Sequence, residues 1–149
     1  MEAQELLEAL SETIEVQLAF DEDGMASFSA DGMSVTLHNL PEVGGLLIEG
    51  DLGAPPPENP MGLYKTVLES QHLFRDTVGA TVSIDPSTGR FKLCRVLMTQ
   101  LLDKASFIEA VGRFLSTQEV WTKFIQNYQE EAAAPAPDET AFGNGFMQV

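Results

Sequence analysis

The first apolar positions of the chain repeat with the spacing of one helical face. They are Ala3, Leu6, Leu7, Leu10 and Ile14. This spacing predicts an amphipathic helix over residues 2–14. Glutamates occupy its opposite face, and the polar residues 21–24 then end the helical pattern with a turn.

An alternation of apolar and polar residues follows, and it is typical of half-buried strands. It predicts two strands over residues 26–30 and 33–38. A tight turn at Asp31 and Gly32 joins them, because both residue types tolerate a positive φ. A third strand is predicted over residues 46–52. The apolar positions of these strands include Phe28, Val35, Leu37 and Ile48.

Residues 51–62, DLGAPPPENPMG, contain four of the chain's eight prolines. Such a cluster suits a domain linker, a proline-rich ligand or a lead-in to a helix. The linker interpretation fails because the helix and three strands before the prolines lack the helical cover that the later part supplies. A PxxP ligand is formally present at Pro57 and Pro60. Pro60 is better explained as the first residue of a helix, where its missing N–H does no harm. We therefore expect a stiff corner that ends the third strand at Gly53.

The second helix is expected to have Asn59 as its N-cap and to run to Phe74. Its apolar residues fall on two adjoining faces, which make a stripe wider than one sheet contact requires. They are Met61, Tyr64 and Leu68 on one face and Leu63, Val67 and Phe74 on the other. The excess predicts a second partner surface on this helix.

The segment GATVSIDPSTGRFKLCRVL, residues 79–97, predicts a hairpin whose first strand has an apolar position at Val82. A third helix follows. Either Asp103 or Ser106 caps it, the latter forming a capping box with Glu109. This helix extends to about Gln129, with residues 116–119 as either a second cap or a continuation.

From residue 131 the composition changes and predicts a flexible tail that reaches residue 149. Phe142 and Phe146 lie in this tail. They are either a short docking motif or part of an unstructured terminus, and the second interpretation is favoured.

The net charge of −15 is distributed unevenly. The first 63 residues contain 13 acidic side chains and no Lys or Arg. Such a surface repels nucleic acids and anionic membranes. The simpler interpretation is a solvated acidic surface, and the sharper one is steering of a basic or amphipathic polypeptide. Because the chain has no apolar run of about 20 residues and no secretory signal, we expect a cytoplasmic protein without membrane insertion.

The residues that carry chemistry are few. Cys94 is the single cysteine and is accompanied by two histidines, His38 and His72, so we expect no disulfide, metal or cofactor. Phosphate-binding glycine loops and hydrolase or metalloprotease motifs are absent from the sequence. Asp21 and Asp23 are paired carboxylates, but they lie in a solvated turn, so surface charge is a better interpretation than a catalytic pair. We therefore expect a binding module and no enzyme.

This order of elements resembles the type III secretion chaperones of the Tir-chaperone (CesT-like) family, the class that serves one or a few effectors. The resemblance runs over residues 2 to about 129. It rests on LLEALSETIEVQLAFDEDG, on GLLIEGDLGAPPPENPMGLYKTVLES, on the hairpin, and on a last helix ending in VWTKFIQNY. The resemblance implies one α+β domain over residues 1–130, with helices packed on a twisted antiparallel sheet in the order α-β-β-β-α-β-β-α.

The resemblance further implies an acidic bacterial homodimer that binds the N-terminal region of a secreted effector and keeps it partly unfolded and export-competent. The bound segment lies extended over apolar patches and can add a strand to a sheet edge. The export ATPase is a separate protein. The implied partner-binding residues are Leu6, Leu10, Ile14, Phe28, Val35, Leu37 and Ile48. The implied dimer residues are Leu63, Tyr64, Val67, Phe74 and Val82. An alternative of the same architecture is a YbjN-like bacterial regulatory domain.

Overall fold

The computed structural model describes the backbone of residues 1–133 and the side chains through Tyr128. Its α-helices and strands are α1 Ala3–Ile14, β1 Met25–Ala30, β2 Met33–Leu40, β3 Gly45–Gly53, α2 Met61–Ser70, β4 Thr81–Ile84, β5 Phe91–Met98 and α3 Lys104–Ala133. The strands form one antiparallel sheet in the order β1-β2-β3-β5-β4. The predicted α+β class and the order of elements are confirmed. The interpretation of Phe142 and Phe146 lies outside the described residues.

The chain divides into two compact units, of which the first comprises Met1–Gly50 and Cys94–Ser116. Within it Phe28 lies opposite Val35, and Leu37 lies opposite Ile48, so the alternating apolar residues share one face of the sheet. The turn between β1 and β2 has a φ of 79° at Gly32, as the sequence predicts. The core of this unit contains Leu6, Leu7, Leu10, Phe28, Val35, Leu37, Leu46, Ile48, Phe107, Val111 and Phe114.

The second unit comprises Asp51–Leu93 and the chain from Thr117 onward. Aromatic rings dominate its core. The fully buried Trp121 meets Phe124 edge-on with ring centroids 5.8 Å apart, and Tyr64 lies 5.9 Å from Phe91. The remaining buried apolar residues are Leu52, Leu63, Val67, Ala80, Val82, Leu93 and Ile125. The proline-rich corner begins where β3 ends at Gly53, as predicted.

The predicted limits of the second helix are wrong at both ends. Asn59 has a φ of 51°, outside the range of an N-cap, so Pro60 is the N-cap and α2 begins at Met61. The helix ends at Ser70, because the chain folds back and the Asp76 N–H donates to the Ser70 carbonyl at 3.2 Å. Phe74 therefore lies beyond the helix.

The third helix resolves the alternatives left open by the sequence. Asp103 is the cap: its Oδ1 accepts the Ser106 N–H at 2.8 Å, while the Ser106 hydroxyl accepts the Asp103 N–H at 3.0 Å. The Asp103 carboxylate accepts hydrogen bonds from the Ser106 backbone N–H and from the Ser106 hydroxyl, and these two bonds lower the pKa of Asp103. The capping box of Ser106 with Glu109 is wrong, since α3 has already begun at Lys104. Residues 116–119 are a continuation, and the helix runs four residues past Gln129, to Ala133.

Candidate partner-binding surfaces

The residues predicted to face cargo lie in the first unit, and all of them except Ile14 are buried by the chain itself. Leu6, Leu10, Phe28, Val35, Leu37 and Ile48 are at most 9% exposed. Their role is implied by the family resemblance, while their periodicity identifies the apolar face that the sheet and α1 bury, and a core face and a cargo face have the same pattern. Ile14 is half-buried at the end of α1, beside the exposed Val16. Direct contact of these residues with cargo stays a prediction.

The outer edge of β1 has backbone groups that point away from the sheet. The Asn39 N–H donates to the Gly24 carbonyl at 2.8 Å, and this bond sets the phase of the ladder. Every second residue from Gly24 onward therefore bonds to β2, whereas the groups of Met25, Ser27 and Ser29 point outward.

Only the first of these three residues has its outward groups occupied within the described chain. Asp21 accepts the Met25 N–H through Oδ1 at 2.9 Å, and the Asp21 N–H donates to the Met25 carbonyl, also at 2.9 Å. In the described part of the chain, Ser27 and Ser29 each keep an outward backbone N–H and C=O without a partner strand. We call these two residues the β1 edge. It is a ready template for another extended chain.

Apolar side chains missed by the sequence reasoning also lie on the surface of the first unit. A Cβ built on Gly45 would be 3.3 Å from Val96 Cγ1 and 3.6 Å from Val43 Cγ2, so the two valines flank the same glycine. Met98 follows Val96 on the same face of β5, and all three side chains are exposed. We call Val43, Val96 and Met98 the Val43 cluster. Its signal in the sequence is the run Val96-Leu97-Met98, which is apolar in both phases of a strand.

The residues predicted to form a dimer interface lie in the second unit at different depths. Leu63, Val67 and Val82 are buried, Tyr64 is half-buried, and Phe74 is 54% exposed. Besides Val120 on α3, six exposed large apolar residues of this unit come from α2, from the connection that follows it and from β4. They are Met61, Leu68, Leu73, Phe74, Val78 and Ile84, which we call the α2–β4 surface. Such a concentration of exposed apolar side chains in one part of the chain makes it a candidate interaction site.

The connection between α2 and β4 has an unusual backbone conformation. Leu73, Phe74 and Val78 have φ values of 59°, 54° and 53°. Each non-glycine residue in this left-handed region costs roughly 1–2 kcal/mol. Hydrogen bonds hold the segment: the buried Trp121 indole N–H donates to the Asp76 carbonyl at 3.0 Å, and the Val82 N–H donates to the Gln71 side chain at 2.9 Å. The surroundings thus impose the strained conformation.

Several charged groups of the described residues form ion pairs and caps. Hydrogen bonds from the Ser87 hydroxyl and backbone lower the pKa of the Asp85 carboxyl, which belongs to the turn between β4 and β5. His38 Nε2 lies 3.9 Å from Glu49 Oε1, and Cys94 is half-buried in β5. Among the side chains that the structure describes, no group of three or more His, Cys, Asp or Glu is arranged to hold a metal. Within residues 1–133, every helix is too short or too polar to span a bilayer.

Comparison with known proteins identifies the family. The sequence profile of the Tir chaperone protein (CesT) family matches residues 5–122. The chain belongs to this family. A search of curated protein sequences finds no significant match.

Solved structures extend the likeness of this Tir-chaperone family member to about four fifths of its chain. A chain of the ExsC-ExsE complex has a TM-score of 0.71 and 25% identity, covering 84% of this chain and 97% of its own. A chain of the HopA1-SchA chaperone-effector complex has a TM-score of 0.64 and 20% identity, and the match covers 83% of this chain and 92% of that chain. A chain of the structure of the Yersinia pestis type III secretion chaperone SycH with a YscM2 fragment has a TM-score of 0.59 and 14% identity, covering 78% and 97%. The last two show the fold alone.

Family and fold together support a type III secretion effector chaperone. They do not favour the YbjN-like regulatory alternative. A chaperone family implies a non-enzymatic role.

Proposed function

We propose that the protein binds the N-terminal region of a secreted effector and keeps that region unfolded until export. The observation that carries this proposal is the family match over residues 5–122. Likeness to a chain of the ExsC-ExsE complex over 84% of this chain supports it. The role needs no cofactor and no catalysis, because binding alone removes the segment from its folding equilibrium.

The effector segment is held as an extended chain at the β1 edge. Backbone hydrogen bonds to Ser27 and Ser29 supply affinity that does not depend on the effector sequence, and side-chain pockets supply specificity. The open donors and acceptors of these two residues support this mode. Ile14, Val16 and the Val43 cluster offer apolar contacts in the same unit. Leu6, Leu10, Phe28, Val35, Leu37 and Ile48 act from the core, by fixing the strands and the helix that shape this surface.

The acidic charge of the chain guides its encounter with the effector segment. A net charge of −15 attracts a basic or amphipathic segment and repels nucleic acids and anionic membranes. The protein acts in the bacterial cytoplasm as a carrier, and the ATPase of the export apparatus meets the effector only through the complex.

The active form is a homodimer paired through the α2–β4 surface. Six large apolar side chains exposed on one unit support this pairing, because a second copy would remove them from water. Tyr64 and Phe74 contact the second copy directly. Leu63, Val67 and Val82 are already buried and support the surface from beneath.

Affinity capture of the tagged protein from its native bacterium tests the proposal. We expect one secreted protein, retained through roughly its first hundred residues in the extended mode of recognition. Recovery of a kinase or a promoter complex, or of no partner, would contradict it. Sedimentation of the purified chain tests the dimer separately, and a monomer at micromolar concentration would exclude it.

A further inference from the structure

A row of aromatic side chains on α3 lies within the second unit. Trp121 is fully buried, and Phe124 meets it edge-on with ring centroids 5.8 Å apart. Tyr128 continues the row, with its ring centroid 6.4 Å from that of Phe124. Spacings of three and four residues put these rings on one helical face. A Cβ added to Gly62 would lie 2.6 Å from the Tyr128 hydroxyl, so the row packs closely against the first turn of α2.

The indole N–H of Trp121 connects this row to the strained segment that follows α2. It donates to the Asp76 carbonyl at 3.0 Å. The Asp76 N–H in turn donates to the Ser70 carbonyl, the last residue of α2, at 3.2 Å. Both backbone groups of Asp76 are therefore held, one by α3 and the other by the end of α2.

The segment held in this way carries three of the six residues of the α2–β4 surface. Leu73, Phe74 and Val78 lie within three residues of Asp76 and are exposed. All three have φ values in the left-handed region, which is unfavourable for residues with a Cβ. Such a conformation persists only where the surroundings impose it, and a change of φ would turn the side chains in other directions. The direction of these three side chains therefore depends on what holds Asp76.

We propose that Trp121 is a positioning residue for the homodimer, because its indole N–H holds the connection at Asp76 in the conformation that presents three apolar side chains to the second copy. This inference rests on the proposed function, and it adds a buried residue that acts on the interface through another. When only a fraction of the chains has the binding conformation, the apparent dissociation constant rises in inverse proportion to that fraction. In a symmetric dimer both copies contribute this connection, so the effect enters twice.

The single tryptophan of the chain makes a precise test possible. Biosynthetic incorporation of a tryptophan analogue changes Trp121 alone. The analogue 3-benzothienylalanine has a sulfur atom in place of the indole N–H and nearly the same ring shape, so it removes the donor and keeps the packing. The matched control is 5-fluorotryptophan, which keeps the N–H.

The dissociation constant of the dimer, measured by sedimentation, is the first readout. We expect the benzothienylalanine protein to have a dissociation constant at least about tenfold higher than the 5-fluorotryptophan protein, as for one hydrogen bond lost in each copy. Equal dissociation constants of the two proteins would overturn the inference.

Amide hydrogen exchange is the second readout, in the Leu68→Glu background, where the interface protects no amide. Loss of the indole donor should make exchange at Asp76 and Val78 about tenfold faster, while exchange at Leu37 in the first unit is unchanged. Faster exchange at all three residues would indicate a general loss of stability and would contradict a positioning role. Unchanged exchange at Asp76 would contradict it as well.

The two readouts separate this inference from the proposed homodimer. A dimeric wild-type chain with equal dissociation constants for both analogue proteins would overturn the role of Trp121 and leave the homodimer standing. A monomeric wild-type chain would contradict the homodimer, while the exchange at Asp76 would still decide whether Trp121 holds the connection.

Discussion

Arg90 holds the Asp51 carboxylate with two hydrogen bonds, from Nε at 2.9 Å and from Nη2 at 2.7 Å. Lys92 Nζ approaches the same carboxylate to 3.4 Å. The hydrogen bond from Arg90 is the main cause that lowers the pKa of Asp51, against the opposing effect of burial. This cluster connects the end of β3 to the start of β5 in the second unit, next to the proline-rich corner.

The Asp51 cluster predicts a defined dependence of stability on pH. A carboxyl whose pKa is lower in the folded state stabilises the fold above its unfolded pKa, and this contribution is lost as the pH falls through the folded pKa. Asp51→Asn should therefore lower the free energy of unfolding at neutral pH by about 1 kcal/mol or less, since the pair is partly exposed. The difference from the wild type should shrink below about pH 4. Urea unfolding at several pH values measures it. Glu58→Gln is the control that removes one charge without touching the cluster, and a difference for Asp51→Asn that is constant with pH would contradict the prediction.

The left-handed backbone at Leu73 predicts that glycine is better than alanine at this position. Both substitutions remove the exposed side chain, but only glycine adopts a φ of 59° without a steric cost. Leu73→Gly should be more stable than Leu73→Ala by roughly 0.5–1 kcal/mol in urea unfolding. The same pair at Leu68, an exposed position inside α2, is the matched control. At position 68 the alanine variant should be more stable than the glycine variant, by about 1 kcal/mol in the free energy of unfolding. The same order at both positions would contradict the strained conformation.

The α2–β4 surface predicts that one charge is enough to separate the dimer. Leu68 is 70% exposed, so Leu68→Glu should leave the folded chain intact. In the dimer the same carboxylate would be buried without a partner, which should raise the dissociation constant by about thirtyfold or more. Sedimentation measures it. Val16→Glu, a change at an exposed valine of the first unit, should have no effect on the dimer, and equal sedimentation of the Leu68 and Val16 variants would count against this interface.

The β1 edge predicts that a proline variant folds normally but does not pair with the effector strand. The Ser27 N–H points away from the sheet, and proline is tolerated at such edge positions. Ser27→Pro should change the free energy of unfolding by about 1 kcal/mol or less, yet weaken binding of the captured effector fragment at least about tenfold. Ala26→Pro is the control, because the Ala26 N–H bonds to β2 and its loss should destabilise the domain itself. Unchanged effector affinity in Ser27→Pro would exclude strand addition at this edge.

The sequence predicts local features of this fold well because their causes are local. The alternation around Phe28 and Val35 identifies two strands, and Asp31 with Gly32 identifies the turn between them. Asp103 is predicted as one of two caps from residue type and spacing alone. The end of α2 at Ser70 is different, because it depends on the distant Trp121 and on residues in the left-handed region that are not glycine. The sequence contains no signal for such a conformation.

The candidate surfaces are harder to predict because they depend on which apolar faces are covered by other elements of the same chain. Periodicity identifies the apolar phase of a strand but not whether a helix of the same chain or a partner covers it. The family resemblance implies that Leu6 and Leu37 are partner residues, and both are fully buried in the described chain, so their contact with cargo stays a prediction. The β1 edge escapes prediction for a related reason: the sheet order, which places β1 and β4 at the edges, is set by pairings distant in the sequence.

The most direct test of the account is the secretion of the captured effector by a strain that lacks this protein. The account predicts that secretion of this effector falls sharply while other substrates of the same apparatus are exported normally. The wild-type gene should restore secretion, and the Ser27→Pro variant should not. Normal secretion of the effector in the deletion strain would contradict the central claim, as would an equal loss of all substrates.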